Sequence, residues 1–186
     1  MRIVAGKYKG RSLKAPKTAQ TRPTSDRARE SLFNILSHSE WAPSLETARV
    51  IDLFAGSGAL GFEALSRGGA FCLFVDTASA ARGAIRENIE ALAVFAQTRT
   101  LRRSATQLGD KPAGLGAPFD LVFMDPPYHQ ELIRPCLDAL RSGAWLQDTA
   151  LIVAETAKEE DLTFDQWHVL ETREVGAAKF WFLKQA

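Results

Sequence analysis

At 186 residues the chain has the length of one domain with a short extension, and its composition (46% hydrophobic, 24% charged) is that of a soluble globular protein. No uninterrupted apolar run is long enough to span a bilayer, and the basic N-terminus lacks the apolar core of a signal peptide. The net charge of +1 hides an asymmetry: residues 1–29 hold nine Lys/Arg and one acid, Asp26, whereas the remainder holds 14 basic and 21 acidic residues, the pattern of a polyanion-binding arm on a mildly acidic body.

In chain order, Arg2–Ala5 and Arg11–Lys14 read as two short strands of a basic hairpin, with Gly6 and Gly10 bracketing its turn. Residues 16–23 form an extended connector. Thr24 or Ser25 can cap a helix that packs through Ala28, Leu32, Ile35 and Leu36 and ends near His38. The expected division is an N-terminal basic extension over residues 1–40 and a second unit over 41–186. Val50–Phe54 is the first core strand; it runs into a glycine turn at 55–61 and a helix to about Arg67. Phe71–Val75 is a second strand with Asp76 at its tip. Residues 78–94 form a helix with Glu87, Asn88 and Glu90 on its solvated face. Thr98–Arg103 is a third strand, residues 109–118 a flexible loop, and Phe119–Met124 a fourth strand. A helix over 130–142, a strand over 150–154, an exposed turn at 158–161 and a hairpin folded around Gly176 complete the chain. This βα alternation predicts an α/β fold: a doubly wound, mostly parallel sheet with helices on both faces, its first strand central, closed by an antiparallel hairpin.

Two stretches carry chemistry. Asp125-Pro126-Pro127-Tyr128 follows the fourth strand, where two prolines end the ladder. Asp125 and the Pro126 carbonyl can each accept a hydrogen bond from an exocyclic amine, and Tyr128 offers a face on which a base stacks. The same tetrapeptide could also be an ordinary strand-ending turn. In the second stretch, Gly56-Ser57-Gly58-Ala59-Leu60-Gly61 matches G-x-G-x-x-G, with Asp76 20 residues after Gly56, as in a dinucleotide site. Asp52 within the strand is unusual there, and no hydride-transfer apparatus is evident. S-adenosylmethionine suits both facts: its amino acid end near Asp52 and Gly56, its ribose at Asp76, its adenine near Ser104. Cys72 and Cys136 form neither a disulfide framework nor a metal site, and Cys136 reads as packing rather than as a nucleophile. A metal-free cytoplasmic monomer is expected.

Asp52-Leu53-Phe54-Ala55-Gly56-Ser57-Gly58 with Asp125–Tyr128 resembles a class I methyltransferase acting on an exocyclic amine. The stretches Arg2–Arg11 and Arg22–Leu36 resemble the bacterial RsmD family, the small-subunit ribosomal RNA guanine-N2 methyltransferases, and the likeness runs from residue 2 to the final hairpin. It implies a seven-stranded methyltransferase sheet, S-adenosylmethionine as donor, and guanine 966 of 16S rRNA, free or in the small subunit, as target. It also implies donor contacts from Asp52, Phe54, Ala55, Gly56, Gly58, Asp76 and Ser104, and an amine clamp of Asp125, Pro126 and Tyr128. Arg2, Lys7, Lys9, Arg11, Lys14 and Arg22 would hold RNA phosphates. Ser104 replaces an acid or amide common in relatives, and Asp76 replaces a longer Glu. The residues alone leave open a DNA adenine-N6 methyltransferase, an NAD-dependent oxidoreductase and a non-enzymatic RNA-binding factor.

Overall fold

Short blocks rich in Val, Ile, Leu and Phe, punctuated by glycine turns, assemble into one seven-stranded sheet in the computed structural model, which describes residues 1–17 and 25–186. The strands are β1 (Arg49–Leu53), β2 (Phe71–Val75), β3 (Thr98–Leu101), β4 (Phe119–Met124), β5 (Leu146–Ala157), β6 (Trp167–Val175) and β7 (Ala178–Gln185). Their order is β3-β2-β1-β4-β5-β7-β6, with β1 to β5 parallel and β7 antiparallel to both β5 and β6. β1 is an interior strand, and β4 holds the middle place.

Both faces of β1, β2 and β4 are covered, so these strands read as apolar runs rather than alternations. Val50, Phe74, Leu121, Phe123 and Val153 point into one core, under helices α1 (Asp26–His38), α2 (Ala59–Ser66) and α3 (Ser79–Leu92). Ile51, Leu53, Leu73, Val122 and Ile152 point into the other, under α4 (Ile133–Ser142). Ser25 caps α1 by accepting the Ala28 N–H, and the helix ends at His38 as its periodicity predicts. Its buried stripe also includes Phe33 and the fully buried Arg29, which donates to the Arg2 carbonyl and to Asp26. Thr24, the other cap candidate, lies outside the described residues.

The differences from expectation sit at element ends. The last helix starts at Ile133 rather than 130, because His129 and Glu131 take left-handed φ values of 60° and 52°. β5 extends well beyond 150–154, its added residues Glu155–Ala157 pairing with β7. The 109–118 loop is tied down: Trp145 donates to the Gly109 carbonyl, Lys111 to those of Gly143 and Gly116, and Arg49 to that of Leu115. Within the 158–161 turn, Glu160 is half-buried and accepts two backbone N–H groups.

The basic arm is bound to the body through its main chain. Its hairpin reduces to one bridge, Arg2 with Ser12, and Ile3 and Leu13 enter the core shared with α1 and α2. Glu63 on α2, fully buried, accepts the Val4 N–H at 2.8 Å, the Ala5 N–H at 3.0 Å and Arg67 Nε at 2.9 Å. Ser66 accepts from the backbone of Lys7 and Tyr8 and donates to the Ala5 carbonyl. Gly6 (φ 81°) lies so close that a Cβ would stand 1.9 Å from the Ser66 carbonyl oxygen. Asn88 corrects the sequence reading: it is buried, not solvated, accepting the Lys14 N–H at 2.7 Å and donating to the carbonyls of Lys14 and Ser57. Glu87 and Glu90 are exposed as expected.

Glu63→Gln sets an amide NH₂ against at least one N–H donor at a fully buried position. It should cost about 1–3 kcal/mol in a urea titration and remove hydrogen-exchange protection from Val4 and Ala5 while leaving β1 and β4 protected.

Candidate functional site

Parallel pairing aligns four strand ends. Leu101 of β3 is opposite Val75 of β2, Val75 opposite Leu53 of β1, and Leu53 opposite Met124 of β4. Past those residues stand, in spatial order, Ser104, Asp76, the turn 54–58 and Asp125–Tyr128. With neighbouring strands about 4.8 Å apart, the row spans about 15 Å. Chain order reverses between β1 and β4, the kind of position where open α/β sheets form a ligand crevice.

The glycine turn is held from below and beside. Phe54 has φ 56°, a costly conformation for a bulky residue and one that concentrates at functional sites. The Ala55 N–H reaches the Val75 carbonyl at 3.2 Å, and the Gly56 N–H reaches Asp76 Oδ2 at 3.0 Å. At Gly58 (φ 78°) a Cβ would meet the Phe62 ring at 2.6 Å. Gly58 offers no side-chain cap to α2; Asp52 Oδ2 does so from the strand beneath, accepting the Gly61 N–H at 2.9 Å. Burial pushes the Asp52 carboxyl up to about 8; the Gly61 bond opposes this and the charge of Asp76 adds to it.

Asp76 accepts the Gly56 N–H on one oxygen and the Ala78 N–H on the other at 2.8 Å. Each oxygen retains a lone pair for a hydroxyl donor. Ser104 is half-buried, and its hydroxyl shares a hydrogen bond with that of Thr106 at 2.8 Å.

At the β4 tip Asp125 and Tyr128 are half-buried, Pro126 is buried and Pro127 exposed. The Tyr128 hydroxyl donates to Oε1 of Glu155 on β5 at 2.6 Å, and the His129 N–H donates to Oε1 of Glu160 at 3.0 Å. Sequence reasoning missed both glutamates. The signal for Glu155 was present: like Asp125, it is an acid directly after a run of apolar strand residues, Leu151–Ala154. Cys136 is fully buried on α4, and burial pushes its thiol up to about 12, which leaves no thiolate for nucleophilic chemistry.

The arm's side chains face outward. Arg2, Lys7, Lys9, Arg11 and Lys14 are exposed; Arg11 donates to the Ala91 carbonyl at 2.7 Å, Lys7 lies over the Tyr8 ring and Arg2 lies 3.7 Å from Asp26. Arg22 falls outside the described residues. Asn88 joins this arm to the glycine turn, since its side-chain NH₂ bonds the carbonyls of both Lys14 and Ser57.

The chain is similar to several known proteins. The ribosomal RNA small subunit methyltransferase D of Haemophilus influenzae is 34% identical over 182 residues, 97% of this chain and 91% of that protein. Its Escherichia coli counterpart is 37% identical over 162 residues, 87% of this chain and 77% of that one. The solved structure of the Escherichia coli protein yhhF superposes with a TM-score of 0.80 at 32% identity, covering 100% and 97% of the two chains. A ribosomal protein L11 methylase from Lactobacillus delbrueckii shares the fold alone, with a TM-score of 0.63 at 16% identity over 87% and 79% of the chains. The family model described as Conserved hypothetical protein 95 matches residues 1–184, and the chain belongs to that family, the RsmD family, with the class I methyltransferase fold.

Proposed function

We propose that this protein methylates the exocyclic N2 amine of a guanine in 16S rRNA, with S-adenosylmethionine as donor and guanine 966 as the family's target. The observation that carries this reading is the adjacency of the glycine turn and the Asp125–Pro126 clamp on neighbouring strands at the point of reversal. The names of the relatives, small-subunit ribosomal RNA methyltransferases, support RNA over DNA as substrate.

The residues present suit the donor. Asp76 has lone pairs left for the two ribose hydroxyls. Asp52 is a buried carboxyl under the turn, where a cationic ligand meets a compensating charge. Phe54, Ala55, Gly56 and Gly58 form the wall between them, and Ser104 stands at the adenine end. When bound, S-adenosylmethionine supplies a methyl on positively charged sulfur, so no enzyme nucleophile is needed.

The chain's own work is to orient. Asp125 and the Pro126 carbonyl each accept one N2 hydrogen, which turns the nitrogen lone pair toward the donor side. Tyr128 stacks on the base. Were the methyl to pass to N2, its bond to sulfur breaking as the N–C bond formed and a neutral thioether leaving, Asp125 would offset the charge on nitrogen and could take its surplus proton. Orientation of this kind is worth about 7–11 kcal/mol of barrier. A base within a duplex is out of reach, so the target is unpaired or flipped out. The exposed arm residues hold phosphates, which fixes position without reading sequence.

Three expectations follow from this assignment. Asp125→Ala should lower methyl transfer to small-subunit RNA about 10²–10³-fold while donor affinity in calorimetry stays at the wild-type level. Because Ile3 and Leu13 are core residues, the arm is tested by charge removal, not by truncation: Lys7→Ala with Lys9→Ala should reduce the log–log salt slope of RNA binding by about 0.7 per lost phosphate contact. An unchanged slope would make these lysines a solvated surface. The third concerns Asp52. With its carboxyl raised to about 8, it is protonated at neutral pH, and a bound cation drives the proton off. Donor affinity should therefore rise with pH up to about 8 and level off above. Calorimetry at neutral pH in buffers of different ionisation enthalpy should show more proton release for wild type than for Asp52→Asn.

A further inference from the structure

The clamp loop is held by the strand next to it. The Tyr128 hydroxyl donates at 2.6 Å to Oε1 of Glu155, a β5 residue only 5% exposed. Glu160, just past the end of β5, bridges the same two elements: Oε1 accepts the His129 N–H at 3.0 Å and Oε2 the Ala157 N–H at 2.7 Å. Between and beyond these ties, His129 and Glu131 hold left-handed φ values that persist only where their surroundings over-determine them. The His129 ring stands edge-on to the Tyr128 ring, at 6.4 Å and 81°.

These contacts restrict different motions of one ring. A hydrogen bond at the hydroxyl fixes the long axis of a phenol. An edge-on neighbour limits rotation about that axis, which the broad, two-fold χ2 preference of tyrosine would otherwise allow. A short bond to a carboxylate is of the stronger, charge-assisted kind. Neither glutamate belongs to the donor side of the row, which lies on β1, β2 and β3.

We propose that Glu155 is a positioning residue for the acceptor base. It acts through the Tyr128 hydroxyl, setting the ring on which the base stacks, while Glu160 fixes the backbone that follows. The proposal rests on the reading of Tyr128 as the stacking surface for a methylated base. A ring without its tether meets the base in many orientations, few of them productive. The loss therefore falls on RNA recognition and leaves donor binding alone.

Steady-state methyl transfer to small-subunit RNA tests this with Tyr128→Phe, Glu155→Leu and Glu155→Gln, alongside donor calorimetry and thermal melting. Tyr128→Phe keeps the ring and loses the tether; like Glu155→Leu, it should raise the RNA KM about tenfold at unchanged donor affinity. Glu155→Gln retains an acceptor oxygen and should recover most of that loss. An RNA KM that stays at the wild-type value in Tyr128→Phe overturns the proposal. So does a Glu155→Gln variant as impaired as Glu155→Leu, since charge and not the hydroxyl bond would then matter. Wild-type protein that transfers no methyl to any small-subunit RNA overturns the underlying activity reading instead, an outcome distinct from active wild type with indifferent variants.

Discussion

Parallel strand pairing across the reversal between β1 and β4 is the constraint from which the rest follows. It brings two turns that lie about 70 residues apart in the chain, the glycine turn and the Asp125–Tyr128 turn, to neighbouring strand tips. Neither turn could be moved without breaking a ladder buried on both faces, because shifting a strand by one residue exchanges its two core surfaces. Val50 and Ile51 already serve opposite cores, so the register of β1 is doubly specified. The site inherits that rigidity, which suits chemistry that depends on orientation more than on reactive side chains.

The basic arm is built on the same scaffold rather than appended to it. The backbone N–H groups of Val4, Ala5, Lys7, Tyr8 and Lys14 point inward, to Glu63, Ser66 and Asn88, and the arm's cationic side chains point outward. A buried carboxylate such as Glu63 is tolerated only when fully bonded, and here two backbone N–H groups and Arg67 satisfy it. The result is a cationic surface whose main chain is already ordered, so less conformational entropy would be lost if a polyanion bound there. Asn88 extends the connection to the glycine turn, since the amide that holds Lys14 also holds the Ser57 carbonyl.

Local patterns made most of the elements legible in the sequence. The second and fourth strands match Phe71–Val75 and Phe119–Met124 residue for residue, because apolar runs between breakers are unambiguous at that length. What escaped was set by tertiary contact. Asn88 looked like one polar residue among three on α3, and only the docked arm explains its burial. Glu155 and Glu160 became visible as partners of Tyr128 and His129 once β5 was placed beside β4. The delayed start of α4 could not be read either: Glu131 is not a residue type that announces left-handed backbone, and a single His, though more tolerant of it, does not place a helix start. Asp52 was noticed as odd within its strand, but its bond to α2 belongs to the folded turn.

That bond bears on which ligand the glycine turn suits. In a dinucleotide site the helix after the turn presents free N–H groups and its positive dipole end to a pyrophosphate. Here the carboxyl of Asp52 reaches the same helix end and takes the Gly61 N–H, while Asp76 takes that of Gly56. Two of the donors that would cradle phosphate are therefore already engaged, both by acids. An anion arriving there would be repelled by Asp76 and by any charge on Asp52. A sulfonium or ammonium group would instead be attracted by Asp76 and would favour the ionised form of Asp52, whose carboxyl is pushed up first by burial and then by the charge of Asp76. The G-x-G-x-x-G spacing by itself does not distinguish the two ligands; the acid four residues upstream, capping the helix from within the strand, argues for the cation.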